Sequence, residues 1–156
     1  MNPDELQNRD VKFFDDVFSQ ISKNYNVDLD RIYAVGHSNG SRFVNVLWKM
    51  RPEKFAAFVT VASPGGIWLK SAPQKSVWIS FGKNDKIVPY KIQKFSSKQY
   101  LKFFEANENT AQTEGEITSY ETSENKEIII EDRNAGHEFP QNSIPKMVEF
   151  LKRNHL

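Results

Sequence analysis

The chain has 156 residues, 38% of them hydrophobic and 26% charged, which suits one globular domain large enough for a real core. Against 20 acidic residues stand 21 basic ones, giving a net charge of +1. No long block of one sign occurs, which argues against a nucleic-acid or membrane partner. Cysteine is absent, so disulfides, thiolate chemistry and cysteine-ligated metals are excluded. No apolar run approaches the roughly 20 residues of a membrane span.

The opening Met1 to Leu6 lacks the basic and apolar regions of a secretory signal. By itself the chain reads as cytoplasmic, and as secreted if it derives from a longer precursor. Asn2, Pro3, Asp4 and Glu5 read as a helix start: a cap, a proline suited to the first helical position, and acids for the first turn. Leu6, Val11, Phe13, Phe14, Val17, Phe18, Ile21 and Tyr25 then recur at helical spacing, predicting a long helix to about Asn24. Asp28 to Asp30 form a turn, and Ile32 to Val35 is a short apolar run of the buried parallel-strand type. After a glycine-containing turn, Phe43, Val44, Leu47 and Trp48 mark a second helix, with Pro52 just beyond its end. Phe55 to Ala62 and Val77 to Phe81 are further strands, followed by a helix centred on Phe95 to Phe104. Ala106 to Gly115 is polar and reads as a loop. Ile117 to Tyr120 and Glu127 to Ile130 are expected to pair around a turn near Asn125, and Ile144 to Arg153 closes the chain as a helix. This alternation predicts an α/β domain with a mostly parallel sheet between helices on both faces, a three-layer arrangement.

Gly36-His37-Ser38-Asn39-Gly40 is the pattern G-x-S-x-G, placed where a buried strand turns into a helix. That context is what a nucleophile elbow requires. The serine backbone is expected to be strained, and a side chain at either flanking glycine is expected to collide with the neighbouring strand and helix. The turn lifts the hydroxyl above a helix N-terminus, where the Asn39 amide points at a developing oxyanion. An incidental serine in a tight turn is the plain alternative.

A serine alone is a poor nucleophile, so a base and an orienting acid are needed. The elbow arrangement orders them serine, acid, histidine, at the ends of successive strands. Asp85 follows the Val77 to Phe81 strand and fills the acid position, with Asp132 in reserve; a solvated turn aspartate is the competing reading. Of the three histidines, His155 lies beside the C-terminus, where chains fray. The ring of His37 is expected to point away from the neighbouring hydroxyl, which leaves His137 as the base. Trp68, Ile87, Val88 and Phe139 lie in loops at the same end of the sheet as an apolar substrate pocket, or simply as loop packing.

With these motifs in place, the sequence resembles the polyhydroxybutyrate depolymerase and feruloyl esterase branch of the α/β-hydrolases. The resemblance runs through R-I-Y-A-V-G-H-S-N-G, R-P-E-K-F-A-A-F-V-T-V-A-S, G-K-N-D-K-I-V-P-Y and N-A-G-H-E-F-P. It implies ester hydrolysis through an acyl-enzyme, with Ser38, Asp85 and His137 as the triad and with no metal or organic cofactor. Ser41 stands where the family usually has a second glycine, a change expected to alter helix packing slightly. A complete member has several strands before the long helix, so the resemblance implies a domain lacking its N-terminal strands. The lost portion normally supplies the second oxyanion donor, worth about 10²–10³ in rate. It also leaves Ile32 to Val35 as an open edge, so the chain is expected to be a fragment or to form a homodimer there. A non-catalytic hydrolase-like module kept for binding or assembly is the competing class. Neither G-x-G-x-x-G nor G-x-x-x-x-G-K occurs, which leaves a nucleotide-binding sheet without its phosphate cradle.

Overall fold

In the computed structural model, which describes residues 9–156, the first element is helix α1, Arg9–Asn24. The helix start read at Asn2 to Glu5, and Leu6 with it, lie outside the described residues. Along α1, Val11 is buried and Phe14 stacks on Phe55 at 5.4 Å between ring centroids. Phe13, Val17 and Ile21, four residues apart, instead form an exposed stripe on the same helix, continued by Tyr25 just past its end. Arg51, just past the second helix, clamps α1 by a fork on Asp15, with Nε at 2.9 Å and a terminal nitrogen at 2.6 Å.

Strand β1, Tyr33–His37, leads through a sharp turn into helix α2, Asn39–Met50. Strand β2, Ala57–Val61, and strand β3, Ser76–Gly82, are buried along their whole length. Helix α3 spans Tyr90–Phe103. Strands β4 (Ala106–Glu114), β5 (Ile117–Thr122) and β6 (Glu127–Arg133) follow, and helix α4, Ile144–Lys152, comes last. The six strands form one sheet in the order β1-β2-β3-β6-β5-β4. Pairing is parallel from β1 through β3 to β6, then antiparallel through β5 to β4.

Residues Ala106 to Gly115, expected to be a loop, are the strand β4 and the turn after it. The hairpin closes on Gly115 at φ 61°, a left-handed backbone that glycine adopts without steric cost. β4 is an edge strand exposed over most of its length, so selection for an apolar face never wrote an alternating pattern into it.

The period-two pleat sends Phe58, Val77, Ile79, Phe81 and Ile128 to one face, under α2 and α3. There Trp48, fully buried, stacks between Phe58 at 4.6 Å and Phe104 at 4.9 Å. Ala57, Val59, Val61, Trp78 and Ile129 face the other way, onto Met147 and Phe150 of α4. This second cover is incomplete. α4 reaches the middle of the sheet, while Val35 of β1 stays 51% exposed. Among the described residues β1 pairs only with β2, so its outer edge is open.

Candidate active site

The turn from β1 into α2 places Ser38 at φ 54°, ψ −118°, a strained backbone for a residue with a side chain. Its amide donates to the Val61 carbonyl at 2.7 Å, pinning the turn to β2. Gly36 is obligatory: a Cβ there would lie 2.5–2.6 Å from backbone atoms of Gly40 and Ser41. The collision expected at Gly40 does not occur, because a Cβ there meets nothing within 4 Å. The elbow tightens against one glycine only, since the helix turns its Gly40 side outward.

Ser41, where a second glycine was the family expectation, is fully buried. Its hydroxyl lies 2.7 Å from the Gly36 carbonyl and accepts the Val61 amide at 2.8 Å. The side chain thus ties the elbow to β2 as well as filling space.

Asp85 sits three residues beyond β3, in a loop held to the end of the neighbouring strand β6 and the residues after it. The Lys83 amide donates to the Arg133 carbonyl and the Asn84 amide to that of Ala135. Gly82 allows this approach, since a Cβ there would lie 2.1 Å from the Gly136 carbonyl oxygen. The Asp85 side chain has no exposed surface and both its oxygens are fully used. Oδ1 accepts the Ile87 and Val88 amides at 2.8 Å each; Oδ2 accepts the Gln93 amide at 2.9 Å and faces His137 Nδ1 at 2.8 Å. Burial works against the charge, but the bonds from Val88, His137, Ile87 and Gln93 outweigh it and hold the carboxyl below its ordinary range.

His137 follows β6 in the loop before α4. Its Nε2 lies 2.8 Å from Ser38 Oγ, so one imidazole bridges serine and aspartate. With Nδ1–H directed at the carboxylate, Nε2 is left as an acceptor for the serine proton. The three side chains singled out in the sequence therefore meet in one hydrogen-bonded row. Asn39 is the first residue of α2, where helix geometry leaves the amide without an intrahelical acceptor.

Other expectations changed. Asp132, the reserve acid, takes the Tyr90 hydroxyl at 2.8 Å and pairs with Lys94, away from His137. Ile87 and Val88 contribute backbone amides to Asp85, while the Ile87 side chain is 71% exposed. Trp68 is half-buried in a 3₁₀ turn. A cleft of about 290 Å³ beside Asn39 is lined instead by Asp10, Phe13, Arg42, Phe43 and Val46. The C-terminus is tied down, with the Leu156 amide on the Asp30 carbonyl at 3.0 Å. The His37 ring reaches the His137 loop, with its Nε2 2.5 Å from the His137 carbonyl oxygen.

Two polar residues carry no motif in the sequence yet serve the site. Gln93 is buried and spans Asp85 and the Val88 carbonyl. Arg133 is buried too; it donates to Ser80 Oγ at 2.9 Å and to the Glu138 carbonyl at 2.7 Å, fixing the loop that carries His137. The available signal was position: Arg133 ends a strand and Gln93 opens a helix, both at the site's end of the sheet.

No protein-family model matches the sequence. A stretch of 60 residues is 35% identical to the probable acetylxylan esterase A of Aspergillus flavus, covering 38% of this chain and 20% of that protein. The acetylxylan esterase A of Aspergillus oryzae is 37% identical over 60 residues, with the same coverage. The match thus spans about a fifth of the curated relatives. Among solved structures, an acetyl xylan esterase from Aspergillus awamori superposes with a TM-score of 0.63 at 18% identity, covering 87% of this chain and 64% of that one. The Bacillus cereus carboxylesterase gives 0.61 at 18% identity, over 91% of this chain and 58% of its own. The described residues have the α/β-hydrolase fold of these esterases.

Proposed function

We propose that the chain is a carboxylic ester hydrolase working through a Ser38–His137–Asp85 triad and an acyl-enzyme. The observation that carries this reading is the single imidazole bonded to Ser38 at one nitrogen and to a buried carboxylate at the other. His137 Nε2 takes the hydroxyl proton as Ser38 Oγ attacks the ester carbonyl, and Asp85 stabilises the imidazolium. The tetrahedral oxyanion rests on the Asn39 amide. Collapse expels the alcohol, which receives the proton from His137 and leaves an acyl-Ser38 ester. Water, deprotonated by the same imidazole, attacks that ester and releases the acid and free Ser38. A backbone donor of this kind is worth about 10²–10³ in rate.

The local likeness to acetylxylan esterases supports a short acyl group, and the sequence motifs support the polyhydroxybutyrate depolymerase and feruloyl esterase branch. Both assign the chain an ester of a small molecule or polymer as substrate. The cleft lined by Phe13, Phe43 and Val46 is the acyl pocket in this reading.

The open β1 edge favours a second reading, a non-catalytic α/β-hydrolase piece that assembles through Ile32 to Val35 with another copy. Labelling of purified protein with a fluorophosphonate separates the two. Labelling that vanishes in both Ser38→Ala and His137→Ala supports the hydrolase, and acetyl, feruloyl and 3-hydroxybutyryl p-nitrophenyl esters then rank the acyl group. No labelling of a folded sample would sink catalysis by this chain alone.

A further inference from the structure

His37 precedes the proposed nucleophile, yet its ring reaches across to the loop of the proposed base. The two histidine rings lie 5.1 Å apart, and the ring of Phe139 is 6.2 Å from His37. The 2.5 Å contact of His37 Nε2 is with a carbonyl oxygen, that of His137 itself. A carbonyl only accepts, so Nε2 carries the proton and donates. Neutral and cationic imidazole both satisfy that requirement.

The topology explains why such a bond matters. β1 and β6 are separated by β2 and β3, so no ladder connects the elbow to the His137 loop. Among the described residues, segments 36–41 and 134–139 are joined by two hydrogen bonds, Ser38 to His137 Nε2 and His37 to His137 O. The first is broken and remade whenever the proton moves between Ser38 and His137. The second involves no group that gives up or takes a proton in the cycle. The loop's other ties run to Asn84 and Asp85 beyond β3, to Glu116, and through Arg133 to β6.

We propose that His37 is a positioning residue: its Nε2–H holds the His137 main-chain carbonyl and so keeps the imidazole in register with Ser38. The inference rests on the hydrolase reading for its kinetic consequence and on the hydrogen bond alone for its structural one. Displacement of a reacting group by about 1 Å costs on the order of 10²-fold. His37→Phe keeps the ring and removes the donor; His37→Gln restores a donor on a flexible side chain.

Steady-state kinetics on p-nitrophenyl acetate, fluorophosphonate labelling rates and thermal unfolding would be compared for wild type and the two variants. The expected result for His37→Phe is a fall of roughly 10–100-fold in kcat and labelling rate, with KM within about twofold and an unchanged melting temperature. His37→Gln is expected to recover most of the loss. Equal kcat in wild type and Phe variant overturns the proposal; so does a Gln variant as slow as Phe, or a change confined to KM. A long-range ¹H–¹⁵N spectrum of the imidazoles reads the bond without reference to turnover. It should show a protected, downfield His37 Nε2 proton, lost in the Phe variant. If wild type lacks esterase activity while this signal is present, the hydrolase reading fails and the tether stands. A rapidly exchanging His37 proton removes the tether itself.

Discussion

Replacing Asp85 by asparagine isolates the electronic part of the proposed site, because the structure dictates which way the amide must face. At the Oδ1 position two backbone amides, those of Ile87 and Val88, both donate at 2.8 Å. Only the carbonyl oxygen of the introduced side chain can sit there, since an NH2 group would meet two N–H donors. The NH2 group is thereby driven to the Oδ2 position, facing His137 Nδ1. Nδ1 must then accept, which moves the ring proton to Nε2, the nitrogen 2.8 Å from Ser38 Oγ. An imidazole protonated there cannot take the serine proton. Gln93 meets the new NH2 with its Oε1 by flipping, at the loss of the bond its own amide makes to the Val88 carbonyl. The fold should tolerate the change, at about 1–2 kcal/mol for weakened charge-assisted bonds, or ~2–8 °C in melting temperature. Activity should not: the wrong tautomer costs roughly 10⁴ in kcat, about 5 kcal/mol of barrier. Initial rates on p-nitrophenyl acetate near neutral pH, beside a thermal melt, measure both. An Asp85→Asn protein within about tenfold of wild type would refute the reasoning, for it would mean the carboxylate does not set the tautomer.

The same carboxylate predicts an acid-side loss of stability. Its folded value lies below 3.8, so its contribution is complete above that pH and is lost as pH falls through the folded value, where the unfolded chain protonates first. Urea midpoints between about pH 5 and pH 2 should fall more steeply for wild type than for Asp85→Asn, and parallel slopes would contradict this. The two elbow glycines should respond oppositely to alanine. Gly36→Ala forces a Cβ to 2.5 Å from backbone and should prevent the elbow from forming, whereas Gly40→Ala enters open space in a helix and should raise stability by about 1 kcal/mol. Melting temperatures of the pair, ordered the other way, would disprove the packing argument. Finally, the open β1 edge beside the exposed Val35 should drive self-association that Val35→Lys suppresses. Sedimentation velocity showing wild type monomeric at every concentration would count against it.

How legible this fold is depends on what each segment has to bury. The parallel strands β2 and β3 announce themselves as apolar runs, because a strand covered on both faces has little else to write. The proposed triad is legible for a different reason. Its members sit at strand ends in a fixed chain order, and the close approach of the elbow's backbone demands glycine at Gly36. β4 reads as a loop because its pairing is made by backbone groups and its side chains face water on both sides.

Helix α3 shows the limit most clearly. Read for apolar spacing, it centres on Phe95, yet Phe95 is 58% and Ile92 49% exposed, while Gln93, Ser96 and Ser97 are buried beside Tyr100. The inward face of its first turns is polar because it serves the loops rather than the core. Gln93 reaches Asp85 and the Val88 carbonyl, and Ser96 Oγ takes the amides of both Gly65 and Gly66 at 2.8 Å. A hydrophobicity pattern assigns such a face to solvent, because it scores the side chain and not the backbone group that side chain must satisfy. The inversion is therefore informative. Where a helix beside a loop buries its polar residues and exposes its apolar ones, packing has been subordinated to holding the loop. That is why Gln93, which no motif marks, belongs with Asp85 as firmly as the two amides that bind the other oxygen.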